Sequence, residues 1–366
     1  MASLMERLGL KLPIVQAPMA GTATPALAAA VTNAGGLGSI GLGATNSAGA
    51  REMIDALRAR TNGAFNVNVF CHRPATANAE RERAWLSALE PVFRRYGAQP
   101  PTVIRELYTS FLADEAMEDL LVEMRPAVVS LHFGLPSART IGRLKSAGAT
   151  LFSTATNLEE AEKAAAAGVD AIVAQGYEAG GHRGVFDLEA PDARLGVFAL
   201  TRLLVSRIPL PVIAAGGIMD GAGIAAVLDL GAELAQLGTA FVGCPESSAD
   251  DYYRRALFGP GAMATRMTAV VSGRPARCLG NRITALEDDE LKGLVAPDYP
   301  IAYDAGKALA AAGRAGGEGG FGAQWAGQGA PLARSLPAAE LIATLANELA
   351  EARTRAGRQA AEAAHA

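Results

Sequence analysis

The chain has 366 residues, 50% hydrophobic and 19% charged, with a formal net charge of −4. That length suits a barrel with an added lobe, the apolar share excludes a disordered chain, and the charge balance excludes a general attraction to nucleic acid. Cys71, Cys244 and Cys278 are far apart and odd in number, which fits a reduced, cytoplasmic protein better than a disulfide framework or a zinc site.

The opening residues 1–10 carry no long apolar run, so no signal peptide is expected there, and no later segment reads as a membrane span. Short apolar runs then recur. They predict strands at Pro13–Gln16, Leu37–Ile40, Phe65–Phe70, Ala127–His132, Thr150–Ser153, Asp170–Ala174, Pro211–Ala214 and Leu234–Leu237. Their Val, Ile, Leu and Ala residues do not alternate with polar ones, as expected of parallel strands covered on both faces. Helical patterns lie between them, among others at Pro25–Ala34, Ala48–Arg60, Ser137–Ala147 and Leu158–Ala167, with Gly35, Gly63, Gly148 and Gly168 as stops. Asn157, followed by Glu160, has the spacing of a capping box. Eight alternations of strand and helix predict an α/β fold, a TIM-type (β/α)8 barrel over residues 1–245. After Cys244 the rhythm breaks. Charged helical pieces at Ser248–Phe258 and Ile283–Val295 and a glycine-rich run at Gly313–Gly329 predict an inserted lid lobe over 246–335. Residues 336–366 read as an amphipathic helix, Pro337–Arg355, packing back on the barrel, with a fraying tail from Ala356.

In such a barrel, function collects at the carboxyl ends of the strands. There the sequence places Gln16-Ala-Pro-Met-Ala-Gly21, Asn66-Val-Asn-Val-Phe70, Ser130-Leu-His-Phe-Gly-Leu-Pro136 and Gln175-Gly-Tyr-Glu-Ala-Gly-Gly-His-Arg-Gly184. The last stretch sets one imidazole, His182, among four glycines, a proton-handling group beside bare backbone amides. After the last two strands come Gly216 and Gly217, then Gly238 and Thr239. With a helix starting near Asp220, they predict a phosphate cradle. Gly36-Leu-Gly-Ser-Ile-Gly41 matches a dinucleotide fingerprint in letters only, because a helix precedes it and a strand follows. No G-x-S-x-G elbow, paired-cysteine site or H-E-x-x-H is present, so no metal is expected.

These segments, with Gly35-Gly-Leu-Gly-Ser39, Ala214-Ala-Gly-Gly217, Gln236-Leu-Gly-Thr239, Ser272-Gly-Arg-Pro-Ala-Arg277 and Gln324-Trp-Ala-Gly-Gln328, resemble the nitronate monooxygenase family, and within it the bacterial class I enzymes. The likeness runs over nearly the whole chain. It departs at Thr22-Ala-Thr24, where the family often carries more glycine. The resemblance implies non-covalent FMN and oxidation of alkyl nitronates by O₂, with propionate 3-nitronate as the expected substrate. It places Ala17, Pro18 and Met19 along the flavin ring and Asn68 on its polar edge. Gln175 would bond the ring or the ribityl hydroxyls. Gly180, Gly181, Gly216, Gly217, Gln236, Gly238 and Thr239 would hold ribityl and phosphate. His182 matches the family's catalytic base, which takes the α-proton of a nitroalkane. A nitronate has already lost that proton, so His182 is expected there mainly to bind and to stabilise charge.

A substrate with two anionic groups needs donors and a cation. Tyr299, Tyr303 and Lys307 are spaced to share a helix face, and with Tyr108, His132 and His182 they would form a polar pocket over the flavin. His72 and His365 are expected to be structural or solvated. The implied reaction passes one electron to FMN, forming a flavin semiquinone, and yields malonic semialdehyde with nitrite or nitrate. The expected partners are the nitronate and O₂, without nucleic acid or membrane, and the protein a monomer or homodimer. Three alternatives stand. One is an NAD(P)H:quinone reductase or flavin-dependent enoyl reductase on the same barrel. Another is a nucleotide dehydrogenase with a loop cysteine, such as Cys71 or Cys244, as nucleophile. The third is a flavin-storage protein without turnover.

Overall fold

The computed structural model describes residues 2–364, of which 360–364 only as helical backbone; His365 lies outside the described residues. Its strands are β1 (Ile14–Gln16), β2 (Gly38–Gly41), β3 (Phe65–Phe70), β4 (Val128–His132), β5 (Thr150–Ala155), β6 (Ala171–Gln175), β7 (Gly181–His182), β8 (Val212–Ala215), β9 (Leu234–Leu237), β10 (Thr265–Thr268) and β11 (Ala276–Leu279). Eight of them form one parallel sheet in the order β1-β9-β8-β6-β5-β4-β3-β2. A parallel bridge between Val15 and Leu37 joins its two ends. The result is the (β/α)8 barrel that the unalternated apolar runs predict. Every residue of β3 and β6 is buried, as two covered faces require.

The barrel interior is filled by Val15, Leu37, Val128, Phe152, Val173, Ile213 and Leu234. Leu4 and Leu8, from the short helix Leu4–Leu8, join the same cluster and plug its lower end. The helices outside pack on the outward-facing residues of the strands. The helix Ala338–Ala364 lays Leu341, Ile342, Leu345 and Leu349 against the helices Pro25–Asn33 and Gly221–Asp229. Burying each such side chain contributes about 1.5–3 kcal/mol. This helix continues through the stretch read as a fraying tail.

The remaining residues build a lobe over the strand ends. Its core joins Trp85, Leu89 and Phe93 from the helix Ala79–Arg95 to Ile301, Leu309 and Phe321. The lobe therefore also draws on the long connection between β3 and β4. The piece Ile283–Val295 is helical only at Arg282–Ala285. The charged piece before it is helical at Asp251–Leu257. A second, antiparallel sheet, β10-β11-β7, ties the lobe to the barrel, because β7 belongs to the loop after β6. Ala276 pairs with His182 and Arg277 with Gly181.

One predicted cap differs. Asn157 Oδ1 accepts from the Glu160 amide at 2.9 Å, but the Glu160 carboxylate does not close the box. It accepts instead from the Thr156 amide (2.6 Å), the Thr156 hydroxyl (2.7 Å) and the Phe186 amide (2.8 Å). A buried carboxylate needs several donors, and the neighbouring loop provides them.

Candidate active site

A cavity of ≈ 880 Å³ opens at the carboxyl ends of the barrel strands, beneath the lobe. It is within the size range of cofactor sites. All the site residues expected from the sequence line it: Ala17, Pro18 and Met19 after β1, Asn68 in β3, His132 ending β4, Gln175 ending β6, and Gly180, Gly181 and His182 in the loop beyond. Gly216 and Gly217 follow β8, Gln236, Gly238 and Thr239 come from β9 and its end, and Tyr108, Tyr299, Tyr303 and Lys307 close the upper side. Rim residues up to 222 positions apart, Ala17 and Thr239, thus line one cavity because each strand ends on the same rim.

The glycine turn expected to cradle a phosphate lines the cavity. Gly216 and Gly217 have φ of 127° and 70°, and neither commits its amide to a backbone acceptor. The turn points two free donors outward, which only glycine adopts without strain. Thr239 Oγ1 accepts from the Gly327 amide at 2.9 Å, leaving its own proton to donate. The helix Gly221–Asp229 adds nothing, however. Asp220 Oδ1 accepts from the Gly223 amide at 2.7 Å, and Glu348 Oε2 accepts from the Gly221 amide at 2.9 Å. Two carboxylates already occupy that helix end, so an anion is served by the glycine turn instead.

Gln175 differs from its expected use. Its Nε2 donates to the His182 carbonyl at 3.0 Å, and its Oε1 accepts from the Gly184 amide at 2.7 Å. The side chain shapes the loop, and one N–H is left for a ligand. Asn68 Nδ2 donates to the Ser130 carbonyl (3.0 Å) and hydroxyl (2.9 Å), so its carbonyl oxygen is the atom free to act on the cavity. Buried Arg183 locks the loop further. It forks onto Asp192 at 2.8 and 2.9 Å and donates to the Gln175 carbonyl at 2.6 Å. A bidentate pair of this kind is both strong and directional.

The expected helix face is only partly present. Tyr303 and Lys307 lie on the helix Ile301–Ala315, but Tyr299 precedes it, before Pro300. A residue before proline is disfavoured in the helical region. Tyr299 is instead buried with Phe70 and Phe133. Lys307 Nζ sits 4.8 Å from the Tyr108 ring centre and 5.6 Å from that of Tyr303. No carboxylate lies within salt-bridge distance of it among the described residues. It is a cation held by aromatic faces and free to meet an anion.

The imidazoles of His72, His132 and His182 are held neutral. His132 is pushed down to about 3, by burial and then by the nearby Arg274 guanidinium. Its Nδ1 is 3.0 Å from the Thr154 hydroxyl and its Nε2 3.3 Å from the His182 carbonyl. His182 is pushed well below its ordinary value, by burial first and by Arg274 second. Rings of Trp325, Tyr299 and Phe133 surround it at 5.0, 5.2 and 5.7 Å. Burial holds the hydroxyls of Tyr299 and Tyr303 protonated, as donors. His72 is buried rather than solvated, with neither ring nitrogen bonded, and is held down to about 4 by burial and Arg274.

Three further residues belong here that sequence reasoning assigned no role. Ser272 Oγ meets His182 Nε2 at 2.9 Å. Arg274 stacks on Phe133, with its guanidinium carbon 4.0 Å from the ring centre, and donates to the carbonyls of Arg183 and Val185. Trp325 packs against His182 and Tyr303. The runs around 272–277 and 324–328 were visible as motifs, but their contacts to Phe133, His182 and Arg183 cross some 90 residues or more and leave no local pattern. The cysteine-nucleophile alternative finds no support. Cys71, Cys244 and Cys278 are buried free thiols, and burial pushes Cys244 and Cys278 up to about 12. Among the described residues, no group of three or more His, Cys, Asp or Glu is arranged to hold a metal, and no helix is long and apolar enough to cross a membrane.

Residues 2–348 match the family model described as nitronate monooxygenase. A protein named nitronate monooxygenase from Paraburkholderia phytofirmans is 63% identical over 347 residues, covering 95% of this chain and 94% of that protein. Another of that name, from Pseudomonas aeruginosa, is 54% identical over 343 residues, covering 93% and 97%. The solved structure of nitroalkane oxidase from Streptomyces ansochromogenes superposes with a TM-score of 0.88 at 40% identity, covering 97% of this chain and 99% of that one.

Proposed function

The chain belongs to the nitronate monooxygenase family, and on that premise we propose that it binds FMN without a covalent link and oxidises alkyl nitronates with O₂. Propionate 3-nitronate is the proposed substrate, going to malonic semialdehyde with nitrite or nitrate. The observation that carries this reading is one cavity that holds two free glycine amides at one side and, under the lobe, a carboxylate-free lysine beside protonated tyrosines and a neutral histidine.

The residues present fit the cofactor. Gly216, Gly217 and Thr239 present donors to a phosphate. The free carbonyl oxygen of Asn68 suits an N–H at a flavin's polar edge, and Ala17, Pro18 and Met19 give an apolar wall. When bound, FMN supplies the one-electron chemistry that couples the nitronate to O₂. The protein's own part is to orient and to balance charge. Lys307, flanked by Tyr108 and Tyr303, takes the carboxylate. Tyr299 and Tyr303, kept protonated by burial, each hold a hydroxyl proton to donate, which suits nitronate oxygens. His182 enters as a neutral ring. With a nitronate it binds, and with a nitroalkane it is the group that can take the α-proton. A cytoplasmic setting, in which the three thiols stay reduced, is part of the same proposal.

The test is oxygen uptake by the purified protein given propionate 3-nitronate and no NAD(P)H. Uptake with malonic semialdehyde formed is expected, and its absence sinks the reading. Bleaching of the flavin by NADH without oxygen would favour the reductase alternative. Mild denaturation should release free FMN. FAD, or flavin that stays with the polypeptide, would overturn the cofactor assignment.

A pH profile gives a second check. Neutral imidazole is the base form, and its ionisation is displaced downward, so that form persists as pH falls. The value of kcat/KM for a primary nitroalkane should therefore stay level from about pH 8 down to about pH 6, below the ordinary histidine range. A fall with a midpoint near 6.5 would show that the ring titrates normally.

A further inference from the structure

We propose that Ser272 is a positioning residue that fixes the tautomer of His182, leaving Nδ1 as the lone-pair nitrogen that faces the substrate. The proposal rests on the reading that His182 handles the nitroalkane proton.

A hydroxyl carries a single proton and can donate it once. Ser272 Oγ has three polar neighbours. It lies 3.2 Å from the Arg274 carbonyl, 3.4 Å from the Arg274 amide nitrogen and 2.9 Å from His182 Nε2. Assigning the Ser272 proton to the Arg274 carbonyl, which can only accept, satisfies that carbonyl. The amide can only donate, so it points at a lone pair of Oγ. The remaining lone pair faces His182, and a good contact at 2.9 Å then requires hydrogen on Nε2. In a neutral ring with Nε2–H, the lone pair is on Nδ1. Nδ1 makes no hydrogen bond within the protein and, unlike both nitrogens of His72, is not a sealed orphan atom. His182 lines the cavity, so Nδ1 opens to it.

The turn that carries Ser272 is built to keep this orientation. Gly273 and Ser272 both donate to the Ala269 carbonyl, at 2.8 and 3.3 Å. Gly273 has φ of 88°, and a Cβ there would stand 2.2 Å from the Pro297 carbonyl oxygen. This tight return brings the Arg274 carbonyl back to the Ser272 hydroxyl. Ala276, two residues beyond Arg274, pairs with His182 in the antiparallel sheet, so the same segment fixes both the backbone and the ring of the histidine. Burial first, and the charged Arg274 guanidinium second, oppose a positive charge on that ring. Before a substrate proton is taken the ring is neutral, and Ser272 chooses between its two tautomers.

The deciding measurement is nitrogen NMR of the FMN-loaded enzyme labelled at histidine with nitrogen-15, using His182→Asn to identify the signal. A protonated-type shift at Nε2 and an unprotonated-type shift at Nδ1 are expected. The reverse assignment would overturn the proposal, and needs no Ser272 variant. Ser272→Ala adds a kinetic readout. Loss of one neutral hydrogen bond should slow nitroalkane oxidation about fivefold to tenfold, while oxidation of the corresponding nitronate, which needs no base, changes by less than about twofold. An equal loss on both substrates would mark Ser272 as merely structural. If neither substrate is turned over by the unaltered enzyme, the function assigned above fails while the NMR result still decides the tautomer.

Discussion

His182→Asn is expected to cut turnover of a neutral nitroalkane by about 10²- to 10⁴-fold, the usual contribution of a positioned general base, while the protein stays yellow. Asparagine keeps a polar group of similar reach but cannot take a proton. The flavin should stay because the proposed cradle, Gly216, Gly217 and Thr239, follows β8 and β9, whereas the imidazole comes from the loop after β6. Oxidation of propionate 3-nitronate by the same variant should fall much less, since that substrate arrives already deprotonated. Oxygen uptake on the two substrates, with the visible spectrum, separates the possibilities. An unchanged nitroalkane rate would remove His182 from proton transfer. Loss of the yellow colour would make it a residue of cofactor retention instead. The burial of the ring among Phe133, Tyr299 and Trp325 argues that it works as a neutral base in a dry pocket, so the proton it accepts must be shared at once with an anionic partner. The nitronate being formed is that partner.

The barrel was legible in the sequence because its strands are buried on both faces. Runs such as Ala-Ile-Val-Ala in β6 and Val-Ile-Ala-Ala in β8 leave no polar positions to mislead. The rim residues were legible for the same reason, since each sits directly after such a run. The second sheet was not. β7 is two residues long and contains a glycine, so it has no period to detect. It exists only because β11, almost 100 residues later, pairs with it. Ser272 and Arg274 were hidden by the same distance. Tyr299 shows the opposite failure. Its spacing from Tyr303 matched a helix face, but Pro300 starts the helix after it, and Tyr299 reaches the site from the loop. Gln175 lines the cavity, yet its amide is directed to its own loop, because two buried backbone groups, the His182 carbonyl and the Gly184 amide, require partners there.

Gly180→Ala is expected to separate the lobe from the barrel and release the flavin. A Cβ at this position would stand 2.5 Å from the Gly327 nitrogen and 2.6 Å from the Ala326 carbonyl carbon. Both are backbone atoms, so a rotamer change cannot relieve the clash. The segment around Gly327 is the lobe's seat on the cradle: its amide donates to Thr239 Oγ1 at 2.9 Å, and the next amide, of Gln328, donates to the Glu178 carbonyl at 2.9 Å. Overpacking of this kind costs about 1–3 kcal/mol. If that strain falls on the docked, cofactor-bound form, each 1.4 kcal/mol weakens FMN about tenfold. Gly181→Ala is the control. A Cβ there meets nothing within 4 Å, but φ is 75°, so the variant carries backbone strain of about 1–2 kcal/mol without a wedge. The two variants should therefore lose comparable thermal stability, while only Gly180→Ala loses FMN on gel filtration. Equal retention of FMN by both would show that the contact between Gly180 and Gly327 does not hold the cradle closed, and that the β7–β11 pairing and the hydrogen bonds of Gly327 and Gln328 suffice to seat the lobe.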